Sequence, residues 1–166
     1  MNTPLTPQSE SNLQDLDRQC VRLQQELASF CFMQDVDLNA ISPLFGYRQV
    51  QAGSVLWCEG DPSDYVAFII AGELELKKIT EFSDHHIVLA ILGHGSIAGE
   101  QALLKDQLRN STAVAKENLE LITLSSENFS RLVNVFPRAA LSLLQCILLA
   151  TSTRLQRAND RLTILF

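Results

Sequence analysis

The sequence predicts a mainly β domain, a sandwich or barrel, flanked by helices. Three observations carry that prediction. Residues 47 to 124 break into short runs rich in β-branched, aromatic and aliphatic residues. Gly53, Gly60, Gly72 and Gly95 fall between those runs, where the chain must reverse. From Pro137 to Phe166 no further glycine or proline occurs, which allows one long closing helix.

Taken in order, residues 1–10 are polar with two prolines and read as a disordered tail. Ser11 and Gln14 make a capping box for an amphipathic helix over 11–31. Its apolar residues, Leu13, Leu16, Cys20, Leu23, Leu27 and Phe30, recur at alternating spacings of three and four. The stripe is shorter than the three to four heptads a coiled coil needs. It therefore reads as a helix packed on its own domain, with a coiled-coil arm as the alternative. The domain proper runs over 32–136. It opens with a short helix ending near Gly46 and continues with strands over 47–51, 54–58, 65–70, 73–79, 87–92, around Ile97, 111–116 and 119–124.

Glu73-Leu74-Glu75-Leu76-Lys77 alternates cleanly, as a strand with one wet face does. Glu81 to His85 reads as a polar hairpin tip. Ser125 or Ser126 caps a return to helix, and Pro137 opens the last one at its first turn. The closing helix over 137–166 is about 45 Å long at 1.5 Å per residue. Leu141, Leu144, Leu148, Thr151, Leu155, Ala158, Leu162 and Leu165 keep one heptad register along it. Its first turns are expected to pack on the domain. A helix that overshoots a small sandwich needs another partner for the remainder, and pairing with a second copy is the expectation.

Composition narrows the function. The chain has 166 residues, 46% of them hydrophobic, enough for one cored domain, and a net charge of −6. An acidic balance argues against a nucleic-acid surface. The four cysteines, Cys20, Cys31, Cys58 and Cys146, show no metal-ligand spacing and read as buried thiols in a reducing cytoplasm. No signal peptide or membrane-spanning run is visible. His85 and His86, adjacent on a strand, point to opposite faces and do not share a metal. His94 lies in a glycine turn. Trp57 reads as core, and Arg154, Arg157 and Arg161 as a solvated face. No nucleophile–base pair or acid–base dyad emerges, so an enzyme is not expected.

The run from Gly99 to Ala113 carries the chemistry. Gly99 at the mouth of a short helix exposes backbone N–H groups to an anion. Glu100 accepts a hydroxyl such as that of a sugar. Arg109, nine residues on, offers a fork of donors for phosphate oxygens and is followed by Asn110 and Ser111. Together they make a site for a small sugar phosphate. The alternative is a surface ion pair of little energetic value.

This run resembles the phosphate-binding cassette of cyclic-nucleotide-binding domains. Its Glu-to-Arg spacing resembles that of protein kinase A regulatory subunits. The turns Gln51-Ala52-Gly53-Ser54-Val55-Leu56, Glu59-Gly60-Asp61-Pro62-Ser63-Asp64 and Ala71-Gly72-Glu73-Leu74-Glu75-Leu76 are similar to those of the same family. The segment Arg154 to Leu162 resembles the dimerisation helix of CRP/FNR-type bacterial regulators. The resemblance covers roughly residues 32 to 162 and implies an eight-stranded double-stranded β-helix, a jelly-roll barrel. It implies that Glu100 takes the ribose 2′-hydroxyl and Arg109 the cyclic phosphate. Backbone N–H groups of Gly99, Glu100, Gln101 and Ala102 would hold phosphate oxygens, Asn110 and Ser111 would line the phosphate side, and Ala158 and Asn159 would lie near the base.

Three positions depart from the family pattern. Ala98 and Gln101 stand where bulky apolar and aliphatic residues are usual. Asn110 matches neither the alanine common in cAMP sites nor the threonine common in cGMP sites. The expected function is a cytoplasmic cyclic-nucleotide sensor, for cAMP first, with cGMP or cyclic di-GMP as variants. It binds no metal, forms a homodimer through its last helix and signals to a protein partner. No residues remain after that helix for a helix-turn-helix, so direct DNA binding is not expected. The alternatives are a ligand-free interaction module and the sensor fragment of a CRP/FNR-type transcription regulator.

Overall fold

The computed structural model describes residues 37–80 and 83–164. The expected tail over 1–10 and helix over 11–31 lie outside them. The described chain begins with Asp37, whose carboxylate accepts from the Asn39 and Ala40 amides and caps a one-turn helix, α1 (Leu38–Ile41). A 3₁₀ turn, Ser42–Leu44, leads into eight strands. These are β1 (Gly46–Val50), β2 (Val55–Trp57), β3 (Tyr65–Ala71), β4 (Leu74–Thr80), β5 (Ser83–Leu92), β6 (Ile97–Ala98), β7 (Thr112–Ala115) and β8 (Leu119–Ser125). A second 3₁₀ turn, Glu100–Leu103, separates β6 from β7. Two helices follow, α2 (Ser126–Val135) and α3 (Pro137–Ile164). Ser125 rather than Ser126 caps α2, its hydroxyl accepting from the Asn128 amide at 3.1 Å.

The strands form two antiparallel four-stranded sheets in the orders β1-β8-β3-β6 and β2-β7-β4-β5. This is the expected jelly roll, with one correction: the described strands stack as two open sheets and do not close into a single barrel. Strand β5 is also longer than expected. It starts at Ser83, because pairing with β4 continues past two register shifts into the segment read as a hairpin tip.

The period of two along β3 and β8 explains why both read as near-continuous apolar runs. Val66, Phe68 and Ile70 on β3, with Ile122 and Leu124 on β8, face the helices. Ala67, Ile69, Leu119 and Leu121 face the opposite sheet. Both faces of this sheet's centre are covered, so neither tolerates polarity. Leu74 and Leu76 of β4 point the same way into the inter-sheet core, while Glu75 and Lys77 pair at 2.7 Å on its outer face.

Helix α3 has two apolar faces. Ala139, Ala140, Leu143 and Ile147 pack on the first sheet beside Leu132 of α2. The heptad stripe lies elsewhere on the helix, with Leu141, Leu148, Leu155 and Leu162 all more than half exposed. No helix among the described residues is long and apolar enough to cross a membrane.

The cysteines need correction. Among the described residues Cys58 is an exposed free thiol and Cys146 is disulfide-bonded. Scattered positions in a sequence carry no information about which Cα atoms the fold brings within bonding reach, about 4.4–6.8 Å. Cysteine usage therefore gives no support to a reducing compartment.

Leu143→Ala should cost about 2–5 kcal/mol of stability, because Leu143 is fully buried between α3 and the sheet. Val135→Ala, at a residue 63% exposed, should stay within about 0.5 kcal/mol. Urea unfolding of the two variants measures the contrast.

Candidate functional site

The site is built around one buried cation. Two loops fix its backbone: Gly60 N–H donates to the Arg109 carbonyl, Arg109 N–H to the Asp61 carbonyl and Ser63 N–H to the Gln107 carbonyl, at 2.8, 2.8 and 3.0 Å. Pro62 and Leu108 complete this ladder as a β-bridge. The Asp61 carboxylate ties the first loop down by accepting from the Cys58 amide at 2.7 Å. Residues 60–64 and 107–109, far apart in sequence, are thus tied together.

The Arg109 side chain is 2% exposed. Its Nη2 donates to Asp64 Oδ1 at 3.2 Å. Its guanidinium carbon lies 4.1 Å from the Trp57 ring centroid and 4.7 Å from that of Tyr65. The two rings meet edge to face at 5.7 Å, so the cation rests on a rigid aromatic seat. Burial pulls the Arg109 pKa below its ordinary value, while Tyr65, Asp64 and Asp61 push it back. An arginine so placed stays charged. Its Nε is buried and finds no hydrogen-bond partner among the described residues.

Gly99 makes this arrangement possible. It adopts φ 71°, ψ 27°, the left-handed conformation that glycine reaches without steric cost. A Cβ there would overlap Arg109 Nη1 and crowd the Tyr65 carbonyl. The glycine carbonyl instead accepts from Arg109 Nη1 at 3.5 Å and from the Ala102 amide at 3.0 Å.

A cavity of about 350 Å³ opens over this strip. Gly99, Glu100, Gln101, Arg109, Asn110 and Ser111 form its polar wall. Trp57, Leu76, Leu89 and Ala90 form an apolar wall, and Arg154 with Ala158 of α3 closes it. Arg154 Nη1 lies 3.4 Å from Glu100 Oε1, and Nη2 donates to the Ile97 carbonyl. Ser111 is buried, and its hydroxyl donates to Asn110 Oδ1 at 3.3 Å. The cavity thus offers a cation, a carboxylate, amide and hydroxyl groups, and an apolar side. That set suits an anionic, hydroxyl-bearing ligand with an apolar part.

Of the residues expected at the site, Gly99, Glu100, Gln101, Arg109, Asn110 and Ser111 come together around this cavity. Ala102 does not. It is buried with its amide already bonded to the Gly99 carbonyl, and it lines a different groove. Asn159 is exposed, and its neighbour Ala158 reaches the cavity in its place. Ala98 is fully buried in the inter-sheet core and paired with Ala67. Sequence reasoning missed three participants. Trp57 is buried, as expected, but also seats Arg109 and lines the cavity. Asp64 pairs with Arg109. Arg154, read as solvated, bonds Glu100 instead. Its one available signal was its position a single helical turn before Ala158. No group of three or more His, Cys, Asp or Glu among the described residues is placed to hold a metal ion.

Residues 47–135 match the family model for the cyclic nucleotide-binding domain. Over 132 residues the chain is 33% identical to the cyclic AMP receptor protein of Thermus thermophilus, covering 80% of this chain and 58% of that protein. Over 95 residues it is 33% identical to the cAMP-dependent protein kinase regulatory subunit of Yarrowia lipolytica, covering 57% of this chain and 24% of that one. The chain therefore spans just over half of the first relative and about a quarter of the second. In fold it is similar to a cyclic nucleotide-binding domain from Methylobacillus flagellatus, with a TM-score of 0.76 and 20% identity, over 90% of this chain and 85% of that one.

Gly99→Ala should push the Arg109 guanidinium off its aromatic seat. Trp57 is the only tryptophan, so the emission spectrum of the folded variant should differ from that of the native chain.

Proposed function

The chain belongs to the cyclic nucleotide-binding domain family, and from that footing we propose that it is a sensor of a cyclic mononucleotide, cAMP first, that reports occupancy through α3. The observation that carries the reading is Arg109: a buried cation with an unsatisfied Nε in the wall of a 350 Å³ cavity, with Glu100 in the same wall. In this reading Arg109 and Ser111 take the cyclic phosphate, Glu100 takes a ribose hydroxyl, and the apolar wall receives the base. The volume sits at the small end of the range for ligand pockets, about 300–1,000 Å³. That supports a mononucleotide over a cyclic dinucleotide. The chain acts as a regulator without catalysis of its own.

The mechanism follows from Arg154. It holds Glu100 and the Ile97 carbonyl from a helix that begins just after the α2–α3 junction at Phe136. A ribose hydroxyl on Glu100 competes with Arg154 for the same carboxylate oxygens. Ligand binding therefore biases where α3 lies, provided one helix position binds the nucleotide more tightly. A coupling of about 1–3 kcal/mol is typical of such linkages. The exposed leucine stripe of α3 carries the response outward, to a second copy of the chain and from there to a protein partner.

A ligand-free assembly module is the rival reading. In its favour, Arg109 and Glu100 already hold protein partners, Asp64 and Arg154.

Isothermal titration calorimetry with cAMP, cGMP and cyclic di-GMP separates the two. Saturable heat from a mononucleotide is expected, weakened about 100-fold in Arg109→Ala. Arg109→Lys should be weakened too, because a lysine keeps the charge without the planar fork. Absence of heat from all three favours the assembly module. For the helix, the double variant Leu148→Glu/Leu155→Glu should be monomeric in sedimentation equilibrium where the native chain is dimeric.

A further inference from the structure

We propose that a second concavity, on the far side of the cassette, is a docking groove for a basic amphipathic helix of a partner protein. The groove measures about 820 Å³ and lies between the turn over 102–107, the loop over 62–64 and the flank of α2. Leu103, Leu104, Phe129 and Val133 give it an apolar lining, and Leu104 and Val133 are 63% and 42% exposed. Ser63 Oγ, buried in its wall, finds no hydrogen-bond partner among the described residues.

Charge selects the occupant. Asp64, Asp106 and Glu127 stand on the groove, and among the described residues Lys105 is the one cation lining it, 3.9 Å from Asp106. The Asp64 and Asp106 side chains are 72% and 84% exposed. An acidic rim around an apolar floor complements lysines or arginines flanking an apolar helix face. It does not complement the chain's own residues 1–36, in which Glu10, Asp15, Asp17, Glu26 and Asp35 outnumber Arg18 and Arg22.

The groove also shares its wall with the nucleotide cavity. Gly99, Glu100 and Gln101 face the cavity, and Ala102 and Leu103 of the same 3₁₀ turn face the groove. Asp64 lines the groove while holding Arg109 in the cavity wall. A helix seated in the groove and a nucleotide in the cavity therefore act on one strip of backbone, and each alters the affinity for the other. This coupling, though not the groove itself, rests on the nucleotide reading.

The test uses the full chain and a fluorescein-labelled peptide with leucine on one helical face and lysine on the other, followed by anisotropy. Saturable binding is expected, about tenfold weaker for Val133→Lys and for a scrambled peptide of the same composition. Glu127→Lys, at an exposed position, should also weaken it and decides the matter if Val133→Lys does not fold. Equal binding to native and variant chains overturns the proposal. So does absence of saturable binding, whether the groove is bare or filled by the chain's own first residues. A change of self-association in Val133→Lys with unchanged peptide affinity also overturns it, by assigning the groove to a second copy. Saturating cAMP should shift the peptide affinity. Peptide binding without calorimetric nucleotide binding keeps the groove and removes the sensor reading, and the reverse pattern removes the groove and keeps the sensor.

Discussion

Everything at this site depends on keeping one guanidinium charged inside a protein. A buried cation is tolerated only when it is paired and hydrogen-bonded. The chain meets that demand from four directions. Asp64 supplies the counter-charge, the Gly99 carbonyl an acceptor, and Trp57 and Tyr65 two π-faces. Each contributor comes from a different part of the fold: β2, β3 and the loop before it, and the end of β6. The ladder between residues 60–63 and 107–109 then follows as a requirement, since Arg109 cannot reach all four without a fixed backbone. The left-handed glycine follows as well, because any side chain at position 99 would occupy the space the guanidinium needs.

The second constraint is the length of α3. Twenty-eight residues at 1.5 Å each make a rod of about 42 Å, longer than the sheet it packs on. Its early turns are anchored by Leu143 and Ile147. Its middle touches the cavity through Arg154 and Ala158. Its leucine stripe is left open. In the proposed function, a rigid element anchored at one end, pinned at the cavity and apolar on a free face would convert a local competition for Glu100 into a change felt elsewhere.

How much of this was legible in the sequence depended on how local each signal was. The strands were legible because period-two patterning is a local property: β3 reads as continuous apolar residues since it is covered on both faces, and β4 alternates since it is not. The cassette was legible because Gly99, Glu100, Arg109 and Ser111 fall within one short run. Asp64 and Arg154 were not, lying 45 and 54 residues from their partners Arg109 and Glu100. Trp57 reads as core because a strand tryptophan under a cation looks, in sequence, like any buried tryptophan. The orientation of Ala98 into the inter-sheet core was hidden for a similar reason: a two-residue strand gives no alternation from which to assign its faces. The state of the cysteines was hidden too, since pairing is set by tertiary distance alone.

The most direct measurement is the emission of Trp57 during titration of the native chain with cAMP. Trp57 is the only tryptophan in the chain, stacks on Arg109 and lines the cavity. The account predicts a saturable change in its emission that is lost in Arg109→Ala. An unchanged spectrum at saturating cAMP and cGMP, with the protein folded, would contradict the reading of this cavity as a cyclic-nucleotide site.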